Sequence, residues 1–275
     1  MYRLILILPL FLLLLPTRRE PAVAQRPPSP EPVIQLGDDL PSAERFAELA
    51  RTDPIACLRA GALRHRREVA GYQAVLIKQE TIGGKLYPQE TIDVCFRSEP
   101  FSVLMRWKSE SIGRADRALY VHGANDNLML AHPKNRAARM LVGDVVARDP
   151  DGPDAKAAGR LSLREFGMGR GAERTLREWE AARQRGQLDV EYLGIRTIAE
   201  CGGRAAHVFH RTCRPPEDDG IVAFDVALDA ETWLQIGTVL SGDGGRLIAA
   251  YHFRDIALNP SFTPDQFDRV ALTRD

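Results

Sequence analysis

The chain has no surplus of either charge: 37 lysines and arginines stand against 37 aspartates and glutamates. A nucleic-acid partner calls for a basic excess, so none is expected. Local basic runs such as His65-Arg66-Arg67 read as the solvated face of a helix. The chain also lacks the motifs of common chemistry. It has no G-x-S-x-G nucleophile turn, no H-E-x-x-H helix and no G-x-x-x-x-G-K-[ST] phosphate loop. No catalytic residue and no cofactor is assigned, and the chain reads as a non-enzyme.

Cysteine is sparse, with four in the chain: Cys57, Cys95, Cys201 and Cys213. Four allow three disulfide pairings. The chain is long enough to build a core without them, so buried free thiols stand as an equal alternative. The C-x5-H-x2-H-x2-C run over Cys201, His207, His210 and Cys213 lacks finger spacing. The two histidines lie on one predicted strand at an odd separation, which puts them on opposite faces. No metal ligand is therefore assigned. One histidine is expected in a surface row and the other against the core. Cys201 and Cys213 flank an extended run. At about 3.3 Å per residue it holds them beyond bridging distance, so they are expected not to bond.

Long apolar runs are limited to the start. Met1-Tyr2-Arg3 is followed by an apolar stretch over residues 4–15 and then by Ala22-Val23-Ala24. A basic start, a short apolar core and an A-x-A site make a signal peptide of residues 1–24, cleaved before Gln25. The apolar stretch falls short of the about 20 residues that span a bilayer; an uncleaved anchor is the alternative. Residues 25–41 are a proline-rich linker, with four prolines from Gln25 to Pro32. Residues 42–275 then form a single domain. The expected compartment is the periplasm or cell envelope.

Within that domain Ser42 caps a short helix, and Asp53-Pro54 restarts a second as N-cap and first helical residue. Ile55, Leu58, Ala62 and Val69 give the second helix its apolar stripe. A meander follows: residues 72–80, a Gly83-Gly84 turn of positive φ, residues 91–97, and residues 101–108. Lys78, Glu80 and Glu90 read as exposed cross-strand charge pairs. Residues 133–170 are the least regular part, either a functional lid or simply mobile. Residues 161–166 and 172–185 read as helices, with Gly167-Met168-Gly169-Arg170-Gly171 between them as a hinge, and residues 215–220 read as a loop after a strand that ends at Cys213. A second meander closes the chain from Asp189 to Phe253. Phe101, Val103, Met105 and Trp107 form one alternating apolar row, and Val222, Phe224, Val226 and Leu228 another. Both are expected on the concave side of one sheet. Whether they line an apolar ligand cavity or fill an ordinary core stays open.

Three stretches carry a resemblance: Lys78-Gln79-Glu80 with Gly83-Gly84-Lys85-Leu86; residues 96–103; and Leu119-Tyr120-Val121-His122-Gly123 with Asn125-Asp126. Tyr251-His252-Phe253-Arg254-Asp255-Ile256-Ala257-Leu258-Asn259-Pro260, with Phe262 and Phe267, continues it. Together they resemble an exported bacterial family of unknown function. That family is similar to the outer-membrane lipoprotein carriers and sigma-factor regulators. The resemblance implies an α+β fold: a strongly curved antiparallel β-sheet, an incomplete barrel, with helices on its concave side. It implies an envelope binding module for an apolar ligand, with a lipid, acyl chain or lipoprotein as partner and peripheral contact with membrane or envelope protein. The alternative is a protein-interaction or structural module with a filled barrel.

Overall fold

A computed structural model describes residues 39–274. The expected leader and almost all of the linker lie outside the described residues.

The first helix, α1 (Ala43–Thr52), begins where Ser42 Oγ accepts from Arg45 N. The second, α2 (Pro54–Glu68), begins where Asp53 accepts from Ala56 N and Pro54 takes the first turn. An N-cap oxygen satisfies an amide that has no partner in the first turn, and proline has no such amide to lose. Ile55, Cys57, Leu58 and Ala62 are buried, the face the apolar spacing marks.

The first meander runs through β1 (Gly71–Ile82), β2 (Lys85–Leu86), β3 (Glu90–Arg97), β4 (Ser102–Trp107), β5 (Ala115–Val121) and β6 (Met129–Pro133). A short helix, α3 (Arg136–Val142), leads into an edge strand, β7 (Val146–Arg148). Then come α4 (Pro153–Ala158) and the long α5 (Met168–Gln184). The second meander is β8 (Asp189–Ile198), β9 (Arg204–Glu217), β10 (Ile221–Asp229), β11 (Gln235–Gly242) and β12 (Leu247–Leu258).

All of these strands join one sheet in the order β7-β6-β5-β4-β3-β1-β12-β11-β10-β9-β8, with β2 paired to β1. The pairings are antiparallel throughout. Two meanders can share a sheet only where one strand of each meets, and here β12 pairs with β1 from Tyr72 opposite Leu258 to Glu80 opposite Ala249. β7 and β8 stay unpaired on their outer sides, so the curved sheet does not close. The fold is α+β.

The helices lie on the concave face. Phe46 of α1 meets His207 edge-on at 5.2 Å and stacks on Trp233 at 4.4 Å. Trp179 of α5 meets Phe209 and Phe224 edge-on. The convex face carries a second core that the apolar rows did not announce. Leu104, Leu119 and Leu130 pack there against Phe267, Ala271 and Leu272 of the C-terminal tail. Asn259 starts that tail. Its Oδ1 accepts from Ala70 N and Gly71 N, and its Nδ2 donates to Glu68 O.

Three readings need correction. The glycine-rich run 167–171 is no hinge: α5 starts at Met168. A Cβ on Gly169 would lie 2.5 Å from the ring of His65, so glycine is what lets α5 approach α2. Residues 161–166 form only a 3-10 turn at Leu163–Glu165. β9 runs on beyond Cys213 to Glu217.

His65 at that contact is half-buried, and desolvation pushes its pKa down to about 4, with Arg66 adding to the shift. The folded state thus gives up its proton more readily than the unfolded chain, whose histidine titrates near about 6.5. This stability is full above pH 6.5 and is lost as pH falls toward 4. We expect His65 to account for about 2 kcal/mol of stability lost between pH 7 and pH 5, and His65→Gln to reduce the dependence by that much. Urea melts of both proteins at the two pH values check this; parallel losses would show that His65 is not the group responsible.

Candidate binding cavity

A cavity of about 1160 Å³ occupies the concave side between sheet and helices. Its walls take Leu76 from β1, Ile92 from β3, Met105 and Trp107 from β4, and Phe224 and Leu240 from β10 and β11. The alternating pattern explains why these side chains converge. Antiparallel partners directly opposite one another share a face. Ile92 lies opposite both Leu76 and Trp107, and Phe224 opposite Leu240. The roof is the strap that leads from α4 into α5, which contributes Ala158, Leu161, Leu163 and Phe166.

One polar island interrupts the apolar wall. Lys78, Glu80 and Glu90 are buried, the two carboxylates almost completely. Lys78 Nζ lies 2.7 Å from Glu90 Oε2, an ion pair without hydrogen-bond alignment, and 3.3 Å from Glu80 Oε2. It also donates to Ala158 O at 3.3 Å. Glu90 Oε1 accepts from Trp107 Nε1 at 2.9 Å and Ile112 N at 2.8 Å. Glu80 Oε1 accepts from the Tyr251 hydroxyl at 2.5 Å and from Arg160 N at 3.3 Å. Burial and the neighbouring Glu80 carboxylate hold the Tyr251 phenol well above its ordinary pKa.

Two of these bonds reach the strap, at Ala158 and Arg160. Arg160 extends the tie through Nη2 to Asp219 Oδ2 at 2.5 Å. The island therefore fastens the roof to the floor. Charges in a low-dielectric setting persist only when paired and hydrogen-bonded, as each of these is.

The eight residues of the two apolar rows separate. Met105, Trp107 and Phe224 line the cavity. Val103 is fully buried, and Phe101 packs edge-on to Phe96 and Tyr120 with Arg170 over its ring. Val226 and Leu228 are buried, their neighbourhood set by Trp179 and Phe46. Val222 is half-buried, beside a register shift at the start of β10. Helices thus fill one end of each row and leave the other open.

Lys78, Glu80 and Glu90, read from the sequence as exposed pairs, are instead the buried heart of the site. The signal was present: Leu76, Lys78 and Glu80 recur at period two on the strand with the apolar concave row.

The histidines of β9 do not converge. His207 is buried with Nδ1 2.8 Å from the Tyr192 hydroxyl, while His210 pairs with Asp225 at 2.6 Å. Among the described residues no group of three or more metal-capable side chains occurs, and the four thiols are free.

The chain belongs to a family described as protein of unknown function (DUF1571), whose model matches residues 69–271. No curated protein matches it. Solved structures similar to it include the Pseudomonas aeruginosa MucA/MucB complex, at 16% identity and TM-score 0.47, covering 80% of this chain and 62% of that one. The chain thus spans less than two thirds of the MucB chain. They also include the Mycobacterium tuberculosis lipoprotein LppX, at 12% identity and TM-score 0.40, covering 76% and 98%. A LolA-superfamily protein from Nitrosomonas europaea is similar at 8% identity and TM-score 0.35, covering 83% and 98%.

Proposed function

We propose that this protein is a non-enzymatic binding module of the cell envelope that holds an apolar ligand, a lipid or the acyl chain of a lipoprotein, in its concave cavity. The cavity itself carries the reading. At about 1160 Å³ it lies just above the about 300–1,000 Å³ of ordinary ligand pockets, and its wall is mainly apolar. Every charged group of the polar island already has a partner, which suits a tie between strap and sheet better than a catalytic role for those three residues. The leader-like start supports export, and among the described residues no helix is long and apolar enough to cross a membrane.

Phe224→Ala and Met105→Ala test the reading. A side chain that borders space already lacks part of its packing. Each truncation should then cost clearly less than the about 3–5 kcal/mol of a buried phenylalanine. Each should also weaken binding of a dansyl-labelled fatty acid, followed by fluorescence titration. A wild type that binds no such probe, with both variants severely destabilised, would leave only a filled barrel that serves protein contact.

A further inference from the structure

Among the described residues, the one cluster of consecutive large apolar side chains left in solvent lies on α3. Met140 is 82% exposed, Leu141 86% and Val142 53%. Water-facing apolar groups of this size in a row mark an interaction surface. The cluster is not loose chain. Asn135 caps the helix by accepting from Ala137 N, and Arg139 Nη1 donates to Pro133 O at 2.8 Å and Lys134 O at 3.2 Å. These bonds hold α3 against the end of β6.

Its flank carries free cations beside paired ones. Arg136 and Arg114 are exposed and have no ion-pair partner among the described residues. Lys134 and Arg148 lie nearby, Lys134 at 3.8 Å from Glu110 and Arg148 at 3.4 Å from Asp154. The acid within the segment itself, Asp144, is 3.8 Å from Arg139. An apolar tip with a basic flank is the pattern of elements that lie in the interface of an anionic bilayer: the tip enters the acyl boundary and the cations meet phosphate. The position adds a second argument. Val142 belongs to the tip and also to the cavity lining, as does Arg114.

We propose that the α3 tip docks this protein on an anionic membrane surface, with Met140, Leu141 and Val142 inserted and Arg114 and Arg136 set against lipid phosphates. Docking would place the cavity rim at the bilayer. The surface carries this inference, and its purpose rests on the cavity reading above.

The test is vesicle co-flotation of the protein beginning at Gln25, so that the apolar leader cannot itself insert. One set of vesicles contains phosphatidylglycerol and phosphatidylethanolamine, the other phosphatidylcholine alone. The wild type should float with the anionic set, and less so as salt rises. Met140→Ser/Leu141→Ser should lower its partitioning at least tenfold. Arg114→Glu/Arg136→Glu should abolish the preference for anionic vesicles. These are exposed positions, so circular dichroism and thermal melts should match wild type. Vesicle binding unchanged in the serine variant overturns the proposal, as does a wild type that never floats. So does a dimer that the serine changes dissociate without any vesicle binding, which would assign the tip to a second copy. Dansyl fatty-acid binding by the same samples separates the two readings: probe bound but no flotation defeats docking alone, whereas flotation without probe binding defeats the cavity reading alone.

Discussion

Lys78→Met should destabilise the fold by about 3–5 kcal/mol, the cost of breaking a buried ion pair by removing one partner. The ammonium lies between Glu80 and Glu90, at 3.3 Å and 2.7 Å. Methionine keeps most of the volume, so the loss is electrostatic rather than a cavity. It leaves two buried carboxylates facing one another with no cation between them. It also removes the bond to Ala158 O, one of the ties between the strap and the sheet. Two measurements separate these effects. Denaturant melts report the whole loss. Limited proteolysis over residues 150–166 reports the freed roof, and should speed up in the variant under conditions where the sheet stays folded. Adding Glu80→Gln and Glu90→Gln should recover much of the stability, because the uncompensated charges are gone, but not the protection of the strap. A Lys78→Met protein as stable and as resistant as wild type would show that the island is solvated and that the strap is held by apolar contacts alone.

That island also shows where the sequence stops being legible. The elements were readable because their signals are local. Ser42 and Asp53 cap where caps are needed, Gly83 and Gly84 supply φ of +57° and +80° in their turn, and Ile92, Val94 and Phe96 alternate into the core. The placement of Lys78 and Glu80 was not readable from charge, since the usual charged pair on a strand is exposed. Period two sets them on the concave face, but what buries them there is the strap over residues 158–160, a long-range contact outside any local pattern. The same holds for Leu104. Its strand looked one-sided, yet it is 1% exposed, because the C-terminal tail folds back over the convex face. The partial filling of the apolar rows has a related cause. Val226 and Phe224 carry the same period-two signal, yet Val226 is buried and Phe224 borders the cavity, a difference set by what packs above each one.

Trp179→Ala should cost about 3–5 kcal/mol, among the largest losses any single apolar truncation here will produce. The side chain is 0% exposed. It meets the rings of Phe209 at 6.2 Å and Phe224 at 6.5 Å, and so joins α5 to the β9–β10 end of the sheet. Its indole Nε1 has no hydrogen-bond partner among the described residues. A buried donor without a partner costs about 1–3 kcal/mol on its own. Trp179→Phe removes that donor and keeps most of the ring, so it should be much milder than the alanine change, with the relieved donor offsetting the smaller volume. The pair of variants therefore divides packing from hydrogen bonding at one position. Equal losses for Phe and Ala in chemical denaturation would mean that Nε1 is bonded, to water or ligand in the cavity beyond Phe224. In that case Trp179→Phe should also weaken dansyl fatty-acid binding. A mild Phe variant with unchanged probe affinity would place Trp179 in the packed core that supports the cavity wall, outside the wall itself.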